Sequence, residues 1–119
     1  MRFPQKTEFE IPDEKLFEYL FSESHSVGKW KAAFFFSIGF GHHNAQLLKE
    51  ALMKVAIEND YAKVVENLYG TKYVVDGDIV TPLGTTATIR TVWIRERGKE
   101  KVRLVTAYPG KSMKRKEKP

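Results

Sequence analysis

At 119 residues, with 42% apolar, 13% aromatic and 29% charged side chains, the chain has the material for one packed core and is too hydrophobic for a disordered polymer. It contains no cysteine, which excludes a disulfide framework and any thiolate-held zinc, haem or iron-sulfur centre. The net charge of +5 is concentrated at the end: residues 111–119 carry five basic residues against Glu117, leaving 15 basic and 14 acidic residues over 1–110.

Within that body, residues 1–66 hold 8 basic and 10 acidic side chains, whereas residues 67–110 hold 7 and 4. An anion-facing surface is therefore sought in the C-terminal half. The longest apolar run, Ala32 to Phe36, is far below the roughly 18–20 residues that span a bilayer. The opening stretch carries acidic residues in place of an apolar signal core, so the expectation is a cytoplasmic protein with no membrane contact.

In chain order, residues 1–11 are polar and irregular, and Pro12-Asp13 starts a short helix with Leu16, Phe17, Tyr19, Leu20 and Phe21 at helical spacing. Ser24 or Ser26 caps a second helix running to about Ile38. It is apolar on nearly every side, so it is expected to be buried, with Lys29 and Lys31 emerging at one end beside His25. Asn44 caps a third, amphipathic helix with Leu47, Leu48, Ala51, Leu52, Val55 and Ala56 as its stripe.

Beyond Asn59 the period changes. Ala62–Glu66, Thr71–Val80, Thr86–Arg97 and Lys101–Tyr108 are rich in β-branched and aromatic residues and separated by glycine-containing turns. The expected fold is α+β: about three N-terminal helices followed by a four-stranded antiparallel sheet, forming one domain over 1–110 with a disordered basic tail at 111–119.

The Gly98-Lys99 turn sets a register in which Trp93 faces Leu104, Thr91 faces Thr106 and Ile89 faces Tyr108. The preceding hairpin sets Val75 opposite Thr91 and Tyr73 opposite Trp93, with room for a bulge near Asp76-Gly77. One sheet face then carries Tyr73, Val75, Ile89, Trp93, Leu104 and Tyr108 around a Thr91/Thr106 pair. The other carries Lys72, Val74, Arg90, Val92, Ile94, Arg103, Val105 and Ala107. Arg90 thus falls on the face opposite Thr106 and Tyr108, and Asp76 is the one acidic residue available to the Arg90 face.

Lys72, Arg90 and Arg103 form a cationic face able to hold two or three phosphates by charge-assisted hydrogen bonds, or simply a solvated sheet surface. Phosphodiester cleavage needs such donors to stabilise the pentacoordinate transition state, together with a group titrating near neutral pH. RNA supplies its own nucleophile in the 2′-hydroxyl, so that chemistry requires no metal. His25, in a Ser-His-Ser loop near Lys29 and Lys31, suits a base kept neutral by neighbouring cations. His42 and His43 are sequence neighbours whose side chains diverge, which argues against a shared metal, and no cofactor or metal site is expected. Tyr108 can stack on a base or donate to a phosphate.

Three segments, Gly70-Thr71-Lys72-Tyr73-Val74-Val75-Asp76-Gly77, Arg90-Thr91-Val92-Trp93 and Leu104-Val105-Thr106-Ala107-Tyr108-Pro109, occur together with His25-Ser26-Val27-Gly28-Lys29-Trp30-Lys31. They resemble an uncharacterised bacterial and phage domain family that is similar to the barnase, EndoU, colicin and RelE-like superfamily of RNase toxins. That resemblance implies a metal-independent endoribonuclease toxin of a toxin-antitoxin or related conflict system, cleaving RNA and neutralised by a small, acidic antitoxin partner. It implies His25, Lys31, Arg90, Thr106 and Tyr108 as catalytic residues, and on that reading Lys72 and Arg103 of the cationic face, with Lys29, are expected to grip RNA. The alternative is a noncatalytic RNA- or protein-binding module using the same cationic face. Oligomeric state is not indicated.

Overall fold

The structure, a computed structural model, describes residues 1–14, 16 and 28–110, with the backbone alone at 28–31. In chain order the elements are β1 (Phe9–Glu10), α1 (Gly28–Ser37), a 3₁₀ turn (His42–Asn44), α2 (Ala45–Glu58), β2 (Tyr61–Asn67), β3 (Gly70–Val80), β4 (Thr86–Glu96) and β5 (Val102–Pro109). The strands form one sheet in the order β1-β5-β4-β3-β2.

This corrects the expected three helices and four-stranded antiparallel sheet. The sheet has five strands and is mixed, because β1 runs parallel to β5 with Phe9 opposite Val102 and Glu10 opposite Arg103. A two-residue strand shows no alternation, so no period-2 signal marks it in the sequence. What holds it is packing. The Phe9 ring lies 4.9 Å from Trp93 and 5.1 Å from Phe3, and the Val102 amide donates to the Glu8 carbonyl at 2.9 Å.

Among the described residues there are two α-helices. Of the helix expected from Pro12, Asp13 and Glu14 are helical and Leu16 is buried, while most of the remainder lies outside the described residues. Asn44 is the N-cap of α2, as expected, yet its side chain closes the preceding turn instead of capping helix amides. Its Oδ1 accepts from the Gly41 amide at 2.8 Å and its Nδ2 donates to the Gly39 carbonyl at 3.0 Å. In α2, Leu48, Leu52, Val55 and Ala56 are buried, and each leucine contributes about 1.5–3 kcal/mol through apolar burial. Leu47, expected on that stripe, is exposed, as is Ala33 of the supposedly buried α1.

Both helices pack on one face of the sheet, here the inner face, where Phe35, Leu48 and Leu52 meet Tyr73, Val75, Ile89, Trp93 and Leu104. The β3–β4 ladder has the expected register, with Val75 opposite Thr91 and Tyr73 opposite Trp93, and it runs unbroken through Asp76-Gly77. Gly77 serves the packing instead. A Cβ there would sit 2.4 Å from Asn59 Nδ2, which caps the end of α2 through the Val55 carbonyl at 2.9 Å.

The irregularity lies between β4 and β5. Trp93 faces Leu104 as expected, but Val92 faces Thr106, which leaves Val105 as an extra residue and shifts the remaining ladder by one. Arg90 therefore faces Tyr108, Thr91 faces Ala107 and Ile89 faces Pro109. The Thr91/Thr106 pair does not form. Buried Thr91 donates instead to the Val75 carbonyl at 2.8 Å and accepts from the Trp93 indole at 2.8 Å. An indole N–H sealed in a core needs an acceptor, and the Thr91 hydroxyl, engaged on both sides, has no need of a partner on β5.

Candidate site on the outer sheet face

The bulge turns Thr106 and Tyr108 to the outer face, onto the side where Arg90 stands, and moves Ala107 into the core. The sequence-based register had placed them on opposite faces. Cross-strand partners now line up in three rows over β3, β4 and β5. They read Asp76–Arg90–Tyr108, then Val74–Val92–Thr106, then Lys72–Ile94–Arg103. Adjacent rows are about 7 Å apart along the strands, since each step is two residues of roughly 3.3 Å.

The first row carries the strongest electrostatics. Arg90 Nε donates to Asp76 Oδ1 at 2.7 Å and a terminal nitrogen donates to Oδ2 at 2.8 Å, a bidentate fork between half-buried partners. The guanidinium is held above its already high ordinary value. The Asp76 hydrogen bond is the main cause, partial burial opposes it, and Asp76's charge and Tyr108 act in the same sense as that bond. Tyr108 stands directly opposite Arg90 across the β4–β5 ladder. One carboxylate, one fixed cation and one phenol thus converge on neighbouring strands.

Thr106 lies in the next row, half-buried. In the third row Lys72 is exposed, and Arg103 reaches Glu96 at 3.5 Å. Between the charged first and third rows lie Val74 and Val92, so the outer face alternates charge with apolar surface. Such a surface offers an oligoanion the exposed Lys72 and, roughly 13 Å away, Arg90 beside its Asp76 partner, with apolar contact between them.

Of the sequence-nominated residues, the structure brings Arg90, Thr106 and Tyr108 together and sets Lys72 and Arg103 on the same face. His25 lies outside the described residues. Lys29 and Lys31 belong to α1, whose Phe35 is buried in the core on the inner side, and their side chains also lie outside the described residues. Asp76 is the addition to the site. Its position followed from the register that sets Val75 opposite Thr91, because the next pair is then Asp76 and Arg90. Among the described residues, no group of three His, Cys, Asp or Glu side chains is placed to hold a metal, and no helix is long and apolar enough to cross a membrane.

The family described as a domain of unknown function, DUF6883, matches residues 2–111, and the chain belongs to it. No curated protein matches it. Among solved structures, the fold is similar to that of a chain in a contact-dependent growth inhibition toxin and immunity protein complex from Klebsiella pneumoniae 342. The TM-score is 0.70 at 17% identity, covering 84% of this chain and 98% of that one. At that identity the likeness is one of fold.

Proposed function

We propose that this chain is a toxin-like endoribonuclease domain of a bacterial conflict system, acting in the cytoplasm and restrained by a small acidic partner protein. The observation that carries the reading is the Asp76–Arg90–Tyr108 row with Thr106 beside it, a guanidinium fixed by a carboxylate and neighboured by two hydroxyls on an open face that also carries Lys72 and Arg103. The similarity to a chain from a toxin and immunity protein complex supports the class, and the motif resemblance supports the chemistry.

In this reading a phosphodiester sits over Arg90. His25 removes the 2′-hydroxyl proton as the 2′-oxygen bonds to phosphorus, and the P–O5′ bond breaks with the 5′-oxygen taking a proton from water. The products are a 2′,3′-cyclic phosphate and a 5′-hydroxyl. Arg90 stabilises the charge gained in the phosphorane, Thr106 and Tyr108 position the phosphate or a base, and Lys72 and Arg103 hold the flanking strand; Lys29 and Lys31 belong to α1, which packs on the inner face, and are not assigned to this outer-face group.

Induced expression of the wild-type chain should arrest growth. His25→Ala should relieve the arrest while the purified variant keeps its circular dichroism and melting temperature, since general acid or base assistance is worth about 10²–10⁴-fold. A harmless wild-type chain would refute the toxin reading.

A second reading, a noncatalytic RNA- or protein-binding module, is favoured by one feature. Asp76 already occupies two Arg90 donors, and the described histidines, His42 and His43, sit in the 3₁₀ turn that leads into α2, the helix packed on the inner face. RNA binding that falls steeply with salt, without strand scission over hours, would select it.

A further inference from the structure

At the far end of the sheet, on the side away from Arg90, the β2–β3 and β4–β5 turns come together. Gly70 pairs with Glu96, and the Arg97 amide donates to the Tyr69 carbonyl at 2.8 Å. Between the turns is a hollow of about 500 Å³ whose lining includes Asn67, Leu68, Thr71, Arg95, Arg97 and Lys99. Gly70 keeps its floor low: its φ is +148°, and a Cβ there would lie 2.2 Å from the Arg95 carbonyl oxygen.

Three cationic residues, Arg95, Arg97 and Lys99, line this space, and among the described residues none of them is in an ion pair. The rim also holds Glu66 and Glu96, of which Glu96 is engaged by Arg103 at 3.5 Å. Arg95 is the distinctive member. Its guanidinium carbon lies 6.0 Å from the centre of the Tyr73 ring, and its Nε is sealed from solvent with no hydrogen-bond partner among the described residues. Its charge also reaches Tyr61, whose phenol is raised by burial and by Tyr73 while Arg95 opposes the rise. Nε itself is out of a ligand's reach, but the charge of a guanidinium braced on an aromatic ring, beside those of Arg97 and Lys99, is one that a multi-oxygen anion can answer.

We propose that this hollow binds a phosphate monoester of nucleotide size, its dianion shared by Arg95, Arg97 and Lys99 and its organic body lying against Leu68, which is 78% exposed. The site is separate from the Arg90 row. Arg95 stands five residues along β4, about 17 Å away, and on the opposite face of the sheet. It therefore does not depend on the ribonuclease reading.

The test is an amide chemical-shift titration of the full chain at low salt with adenosine 5′-monophosphate, and with adenosine and inorganic phosphate as separate arms. The expected result is saturable shifts at Thr71, Arg95 and Gly98, tightest for the monophosphate. Arg95→Gln should weaken binding at least about tenfold, whereas Arg90→Gln should leave it unchanged. Should Arg95→Gln fail to fold, the exposed double variant Arg97→Gln/Lys99→Gln decides in its place, again by a loss of about tenfold or more. Shifts that do not saturate, or that centre on Arg90 and Arg103, would overturn the proposal. So would binding unchanged in the folded variant. Equal affinity for phosphate or adenosine alone would overturn the nucleotide-sized ligand.

Discussion

Replacing Arg90 with glutamine is expected to slow cleavage of single-stranded RNA by about 10²–10³-fold, the usual effect of removing one preorganised donor from an anionic transition state. Stability should hardly move. Arg90 and Asp76 are 40% and 30% exposed, so the ion pair is well hydrated and contributes at most about 1 kcal/mol. Rate and thermal melting, measured on the same preparation, separate the roles. A variant that loses its melting temperature in step with its rate would make Arg90 a structural residue. A fully active variant would remove it from the site.

The largest stability effect is expected at Trp93. The side chain is fully buried, meets the tilted Phe9 ring at 4.9 Å, and donates to Thr91, which in turn donates to the Val75 carbonyl. Trp93→Ala removes the ring and leaves the Thr91 hydroxyl without its donor, so urea unfolding should show a loss of about 3–5 kcal/mol. A single domain of this size has a total stability of about 5–15 kcal/mol, so the variant should be marginal at 37 °C. A loss below about 1 kcal/mol would mean that the core is not organised around this residue.

The four long strands were legible because β-branched and aromatic runs are punctuated by turns whose glycines take positive φ, +83° at Gly84 and +81° at Gly98. The α2 helix was legible from its stripe. Two things were not. The short parallel β1 has no pattern to read and owes its place to Phe9 finding Trp93. The bulge at Val105 was hidden because Val105 and Thr106 suit either face of a strand, so pairing like with like favoured a Thr91/Thr106 match. With the Thr91 hydroxyl already engaged by Trp93 and Val75, that match carried no reward. The same shift decides the candidate site, since it brings Tyr108 and Thr106 to Arg90 when an unbulged ladder would keep them apart.

The most direct test is incubation of the purified full chain with a labelled single-stranded RNA in chelator at neutral pH. The account predicts scission into fragments ending in 2′,3′-cyclic phosphate, at a rate that His25→Ala and Arg90→Gln both depress. RNA left intact by a folded wild-type chain that binds it would contradict the account and leave this sheet face as a binding surface.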